Sequence, residues 1–547
     1  MSSDRSAADR RRFLAAGLTG AVAATLPIAS SQGAAAEVGP FELDELTIAD
    51  MRDGMEAGKY SARGLVEKYL GRIEAVDRLG PKLNSVIELN PDALKIADEL
   101  DRERQEGGPR GPLHGVPILL KDNIDTADKM ATTAGSLALV GARPPADAFL
   151  VRRLRRAGAV FLGKTNLSEW ANLRSNRSTS GWSGRGGLTR NPWALDRNTS
   201  GSSSGSAAAV AANLCAAAVG TETDGSIVSP SSVCGIVGIK PTVGLVSRTG
   251  VIPLSHTQDT AGPMARTVRD AAILLGGMVG IDDEDDATAS SLGKSAADYT
   301  KTLDKDGLRG ARIGVVRNFF GFHEGVDQLI EESLVGLKSL GATLIDPTPL
   351  PHQGTIGRAE TIVLRYELKA DLNAYLARLG PNAPVRTLAD VIEFNLAHHD
   401  RELQYFGQEI FEIADALGPL TDKVYRDALE TCRRLSRAEG IDAVMNEHQL
   451  DALVAPTDGP AWVTDLVIGD RGLGGSSSAA AVAGYPSITV PAGHVYGLPV
   501  GISFFARAWS EPLLLKLAYA YEQGTKFRQT PKFLPTAELG AKASSPR

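Results

Sequence analysis

Gly201-Ser202-Ser203-Ser204-Gly205-Ser206 runs directly into Ala207-Ala208-Ala209-Val210-Ala211-Ala212, and Gly220-Thr221-Glu222-Thr223-Asp224-Gly225-Ser226-Ile227 follows the apolar run 216–219. Each is a small-residue loop joined to an apolar segment, and glycine lets backbone and ligand approach where a side chain would not fit. Working outward, short apolar runs at 116–120 and 160–163 alternate with longer ones at 149–157 and 207–219, after a polar, Gly-rich link at 105–111. Such alternation predicts an α/β fold, a β-sheet with helices on both faces. Further strands are expected at 312–316, 452–455, 487–491 and 500–505, so the sheet must draw on both halves of the chain. Leu65, Val66, Tyr69, Leu70, Ile73 and Val76 recur at helical spacing, and a second helix is expected after Asn90-Pro91. Residues 324–440 read as a run of amphipathic helices.

The chain has 547 residues, 43% hydrophobic and 22% charged, with a net charge of −7. That is enough to bury a large core, and the acidic balance argues against nucleic-acid phosphates as partners. At the start, Arg10-Arg11-Arg12-Phe13-Leu14 precedes an Ala-rich apolar run and Ala34-Ala35-Ala36. This reads as a twin-arginine signal peptide over 1–36, with a periplasmic or extracellular destination. The alternative is an uncleaved anchor, but the run is short and contains Gly17, Gly20 and Pro27. Cys215, Cys234 and Cys432 are too few for a disulfide framework and are expected in the core.

A serine hydroxyl attacks at neutral pH only if a neighbour takes its proton. The eight histidines are scattered, His494 falls in an expected turn, and no His-Glu-x-x-His or zinc spacing occurs. Lysine is the alternative base if it is held dry. Lys121 is the candidate, where the apolar run 116–120 meets Asp122-Asn123. A rival nucleophile is Ser203, because Gly201-Ser202-Ser203-Ser204-Gly205 also fits the Gly-x-Ser-x-Gly elbow. The polar stretch 196–200 ahead of it is unlike the buried strand an elbow needs. Ser206 suits the N-cap of the alanine helix.

Lys121-Asp122-Asn123, the two serine loops, Gly238-Ile239-Lys240-Pro241-Thr242, residues 163–170 and the distal 483–486 and 490–493 together resemble the amidase signature family in order and spacing. The resemblance spans most of residues 37–535, with a signature core at about 110–270, a helical substrate-enclosing insertion at about 324–440 and a loose tail at 536–547. It implies a twisted mixed sheet among helices and a Ser-cisSer-Lys triad: Ser226 as nucleophile, Ser202 as proton relay, Lys121 as base. It also implies a cis Gly201–Ser202 bond and an oxyanion hole from the backbone N–H groups of Thr223, Asp224, Gly225 and Ser226, with Ser203 and Asp122 in supporting roles. No cofactor or metal is implied. The commoner family pattern has two glycines before the nucleophile and an arginine two residues after it. Here Asp224-Gly225 precede Ser226 and Val228 follows, which is similar to the peptide amidase branch acting on C-terminally amidated peptides. Aryl, aliphatic or fatty amides, the glutamine-hydrolysing component of an amidotransferase, and a non-catalytic binding protein on the same scaffold are the alternatives. Trp170 and Tyr485 are candidate pocket walls or core residues.

Overall fold

The apolar stretch ending at Lys121 becomes a strand because it is paired along both edges and buried at every position. Buried parallel strands read as continuous hydrophobic runs rather than alternating ones. The structure, a computed structural model, describes residues 38–381 and 383–540. The signal peptide expected over 1–36 and the end of the tail lie outside the described residues.

The strands are β1 (Val86–Leu89), β2 (Pro117–Lys121), β3 (Val160–Thr165), β4 (Trp182–Ser183), β5 (Gly187–Leu188), β6 (Ala217–Glu222), β7 (Val237–Lys240), β8 (Thr260–Ala265), β9 (Arg312–Val315), β10 (Thr343–Ile345), β11 (Ala452–Pro456), β12 (Ser487–Val495) and β13 (Leu498–Phe505). Eleven form one sheet in the order β1-β3-β2-β6-β8-β7-β12-β13-β11-β9-β10, while β4 and β5 make a separate hairpin. The large sheet is mixed: β2 is parallel to β3 and β6, and β9 to β10 and β11, whereas β6–β8, β7–β12 and β12–β13 are antiparallel. Helices Ser204–Ala211, Val268–Met278, Glu324–Ser339 and Glu511–Thr525 pack against it. The fold is thus α/β, as expected. Among the described residues no helix is long and apolar enough to cross a membrane.

The structure differs from the sequence reading in several places. The run 207–219 divides into the helix Ser204–Ala211 and strand β6. Ser206 therefore lies inside the helix, where its Oγ bonds Thr165 Oγ1 (2.7 Å) and Val219 O (3.2 Å); the cap position is Ser203. Burial on all sides decides this, since the side chain must find partners in the sheet beneath. His494 sits in β12 rather than a turn, its ring 4.8 Å from that of Trp193. Residues 343–345 add an edge strand within the stretch expected to be helical, and β8 was not expected because its Gly262 and Pro263 disguise it. Trp170 packs edge-on to Phe411, and Tyr485 bonds Asp442 through its hydroxyl (2.8 Å), so both are core residues.

Register positions the site. Leu120 pairs with Val219 across the parallel β2–β6 ladder, so the strands end together and bring Lys121 beside Gly220 and Thr221. The carboxyl ends of parallel strands are where α/β sheets open a crevice for ligands. Gly205 lets the serine loop close over this end: a Cβ there would collide with the carbonyl oxygens of Ser85 and Asn166. At Gly220 a Cβ would stand 2.8 Å from Ser203 Oγ.

Candidate active site

Lys121 is fully buried, and its Nζ lies within hydrogen-bond distance of four oxygens: Ser202 Oγ (2.8 Å), Thr221 Oγ1 (2.9 Å), Ser203 Oγ (3.0 Å) and Thr221 O (3.2 Å). Burial pushes its pKa from 10.5 down to about 7, against the carboxylates of Asp259 and Glu222, which favour the charged form. An amine so placed loses its proton far more readily than an exposed lysine and, once neutral, can accept a proton from a hydroxyl. The Gly201–Ser202 peptide bond is cis. Ser203 N donates to Ser226 O (3.1 Å), so the two serine loops are joined at their backbones. Ser202 is fully buried and Ser226 is 7% exposed, which puts Ser226 on the solvent side.

The loop carrying Ser226 is curled by one carboxylate. Glu222 Oε2 accepts from Ile227 N (2.7 Å) and Val228 N (3.0 Å), and Gly225 turns the chain at φ +79. Among the described residues no acceptor takes the N–H groups of Thr223, Asp224, Gly225 or Ser226. Four consecutive donors without an acceptor thus lead into Ser226. Asp224 accepts from Ser478 Oγ (2.6 Å) and lies against Glu360, whose carboxyl is held well above the usual range by burial and by the Asp224 charge.

Ser203, expected in a support role, contacts Lys121 directly and ties it to β6 by donating to Thr221 O (3.0 Å) and accepting from Thr221 N (3.2 Å). Asp122 faces elsewhere: it accepts from Gly135 N (3.3 Å), Thr133 Oγ1 and Arg185, holding the 122–135 loop. Sequence reasoning gave no role to Thr221, Glu222, Gln258 or Asp259. The first two lie inside the quoted loop, yet nothing local marks their partners; the last two sit in a polar stretch with no motif. Among the described residues His256, Glu367 and Asp371 could place ligand atoms within 4.8 Å of one another, but Ser255, Thr257, Tyr425 and His256 already occupy those carboxylates.

Comparison with known proteins gives the chain's family. The sequence model of the family described as Amidase matches residues 64–515. The chain is 56% identical to the native peptide amidase of Stenotrophomonas maltophilia, whose structure it matches with a TM-score of 0.86 over 90% of this chain and 100% of that one. It is 44% identical over 508 residues to an Arabidopsis thaliana protein that is called an amidase, covering 90% of this chain and 93% of the relative. It is also 36% identical to a component of the glutamyl-tRNA(Gln) amidotransferase of Halorhodospira halophila, covering 90% and 99%.

Proposed function

The chain belongs to the amidase family and is a hydrolase acting on amides, and from that premise we propose that it removes ammonia from C-terminally amidated peptides, with Ser226 as nucleophile, Ser202 as relay and Lys121 as base. The observation that carries the catalytic assignment is the dry Lys121 amine 2.8 Å from Ser202 Oγ. In this reading Ser226 Oγ attacks the carboxamide carbon while its proton passes to Ser202 and that of Ser202 to Lys121. The N–H groups from Thr223 to Ser226 receive the negative oxygen, each such donor being worth about 2.7 to 4 kcal/mol in the barrier. Lys121 then returns the proton, through Ser202, to the departing nitrogen. Water attacks the acyl-enzyme along the same relay and releases the carboxylate.

The peptide amide substrate is supported by identity to the Stenotrophomonas maltophilia peptide amidase and by the Asp224 and Val228 substitutions, which leave no arginine beside the nucleophile for an acidic substrate. A role for the helical block in enclosing the substrate is supported by Glu360 of the helix Gln353–Arg378, which holds Gln258 (2.9 Å), itself within 3.3 Å of Thr223 O. Export by the twin-arginine route rests on Arg10–Arg12 and the apolar segment after them. It accords with three buried free cysteines, because that route carries folded proteins. Likeness to the Halorhodospira halophila amidotransferase component favours glutamine hydrolysis as the second reading.

One assay separates the readings: ammonia release from amidated dipeptides, free glutamine and asparagine, and aryl and fatty amides, with Ser226→Ala as control. Turnover concentrated on amidated peptides is expected. Strong turnover of another class with none of these would end the peptide amide assignment, and glutamine hydrolysis dependent on a partner protein would favour the amidotransferase.

A further inference from the structure

The loop 254–259 grips one residue of the nucleophile loop by both of its free handles. Asp259, 8% exposed, accepts the Thr223 hydroxyl through Oδ1 at 2.6 Å, and Gln258 Nε2 reaches Thr223 O at 3.3 Å. The second oxygen of Asp259 accepts Leu254 N (2.7 Å) and Ser255 N (2.9 Å), so this carboxylate closes its own loop while holding Thr223. That loop is pinned from behind by a single helix face. Glu360, Glu367 and Asp371, seven and then four residues apart on the helix Gln353–Arg378, take Gln258 Nε2 (2.9 Å), Thr257 Oγ1 (2.9 Å) and His256 N (2.8 Å) in turn.

A residue held at its side chain and its carbonyl has little freedom left in the peptide planes on either side. The Thr223 carbonyl shares its peptide plane with the Asp224 N–H, so the direction of that donor is set from outside its own loop. Donors that stabilise charge act only if they are aimed before the reaction, and a misplacement of about 1 Å costs on the order of 100-fold in rate. We propose that Asp259 is a positioning residue for amide hydrolysis, acting through Thr223 to aim the donors that receive the oxyanion. The inference rests on the assignment of Ser226 as nucleophile and of the 223–226 backbone as oxyanion site. The side-chain hydrogen bonds of Asp259 go to Thr223, Leu254 and Ser255 rather than to Ser226; the carboxylate transmits the rigidity of the helix to the reacting end of the loop.

The test is a double-mutant cycle of Thr223→Val and Asp259→Asn on an amidated dipeptide, with Thr223→Ser and Ser226→Ala as controls. Thr223→Val removes only the hydroxyl and keeps the shape, so it should fold even if the Asp259 variant does not. The expected result is a kcat about 10-fold or more lower for Thr223→Val with KM within about twofold, kcat restored by Thr223→Ser, and a double variant no slower than the slower single one. A wild-type kcat in Thr223→Val, multiplying losses in the double variant, or a loss confined to KM would overturn the positioning role while leaving the nucleophile intact. Turnover surviving in Ser226→Ala would bring down the nucleophile assignment, and this inference with it.

Discussion

Lys121 Nζ stands 2.8 Å from Ser202 Oγ although 81 residues separate them in the chain. The contact exists because β2 ends beside β6 and the helix Ser204–Ala211 lays its first turn across both ends. Burial at that place brings the pKa of an ordinarily charged lysine down to about 7.

The first prediction concerns pH. Only the neutral amine of Lys121 can take a proton, and burial sets its pKa at about 7. The kcat/KM profile should fall on the acid side with an apparent pKa near 7, reporting the free enzyme. A profile flat from pH 8 down to pH 5 would remove Lys121 as base.

Stability should respond to the same group over a higher pH window. Between the folded value near 7 and the ordinary value of 10.5, the unfolded chain carries a proton on Lys121 that the folded chain lacks. Wild-type stability from this group therefore rises with pH across that window and is flat below it. Lys121→Met should abolish turnover yet unfold later than wild type, with the gap growing as pH falls from about 10 to about 7. Thermal melts at four pH values would measure it; a gap independent of pH would contradict the burial argument.

Ser203 and Ser226 separate by consequence. Ser203→Ala removes one of four oxygens around Lys121 and leaves Thr221 N unpaired, a loss of about 1 to 3 kcal/mol. A 10- to 100-fold drop in kcat is expected. Ser226→Ala should cost more than about 1000-fold, because the covalent route is gone. The reverse order, read by initial rates of ammonia release, would restore Ser203 as an elbow nucleophile.

A structural prediction falls on Arg174. Its side chain is fully buried, bonded to Glu169, 3.6 Å from Glu402 and stacked over Phe406 and Trp182. The carboxyl of Glu169 is held above its usual range by burial and by Glu402. Arg174→Met would strand two buried acids and should cost about 3 to 5 kcal/mol, read as a fall in Tm or in the denaturant midpoint. Because Glu169, held above the usual carboxylate range, becomes neutral as it takes up a proton, the loss should shrink as pH falls. An unchanged Tm would mean that the pair is not structurally coupled.

Several features were legible in the chain because their causes are local. The continuous apolar run at 117–120 marks a strand covered on both faces, and β9, β11, β12 and β13 fall where β-branched and aromatic residues cluster. Strand β8 was hidden because Thr260-Ala261-Gly262-Pro263 carries turn residues, and only pairing to β6 and β7 makes it extend. Ser206 resembled a cap because its neighbours are helix formers, yet the helix begins earlier, where the sheet supplies partners for the serines.

By itself the sequence determined which reactive groups are available, two serine loops and a lysine ending an apolar strand, and that no histidine is arranged to serve as base. The basicity of that lysine, the aim of the loop through Thr223 and Asp259, and the place of Arg174 were decided only by the tertiary structure. Proton affinity and hydrogen-bond direction depend on the water excluded and the charges brought near by residues tens to hundreds of positions away. No local pattern of side chains encodes those distances.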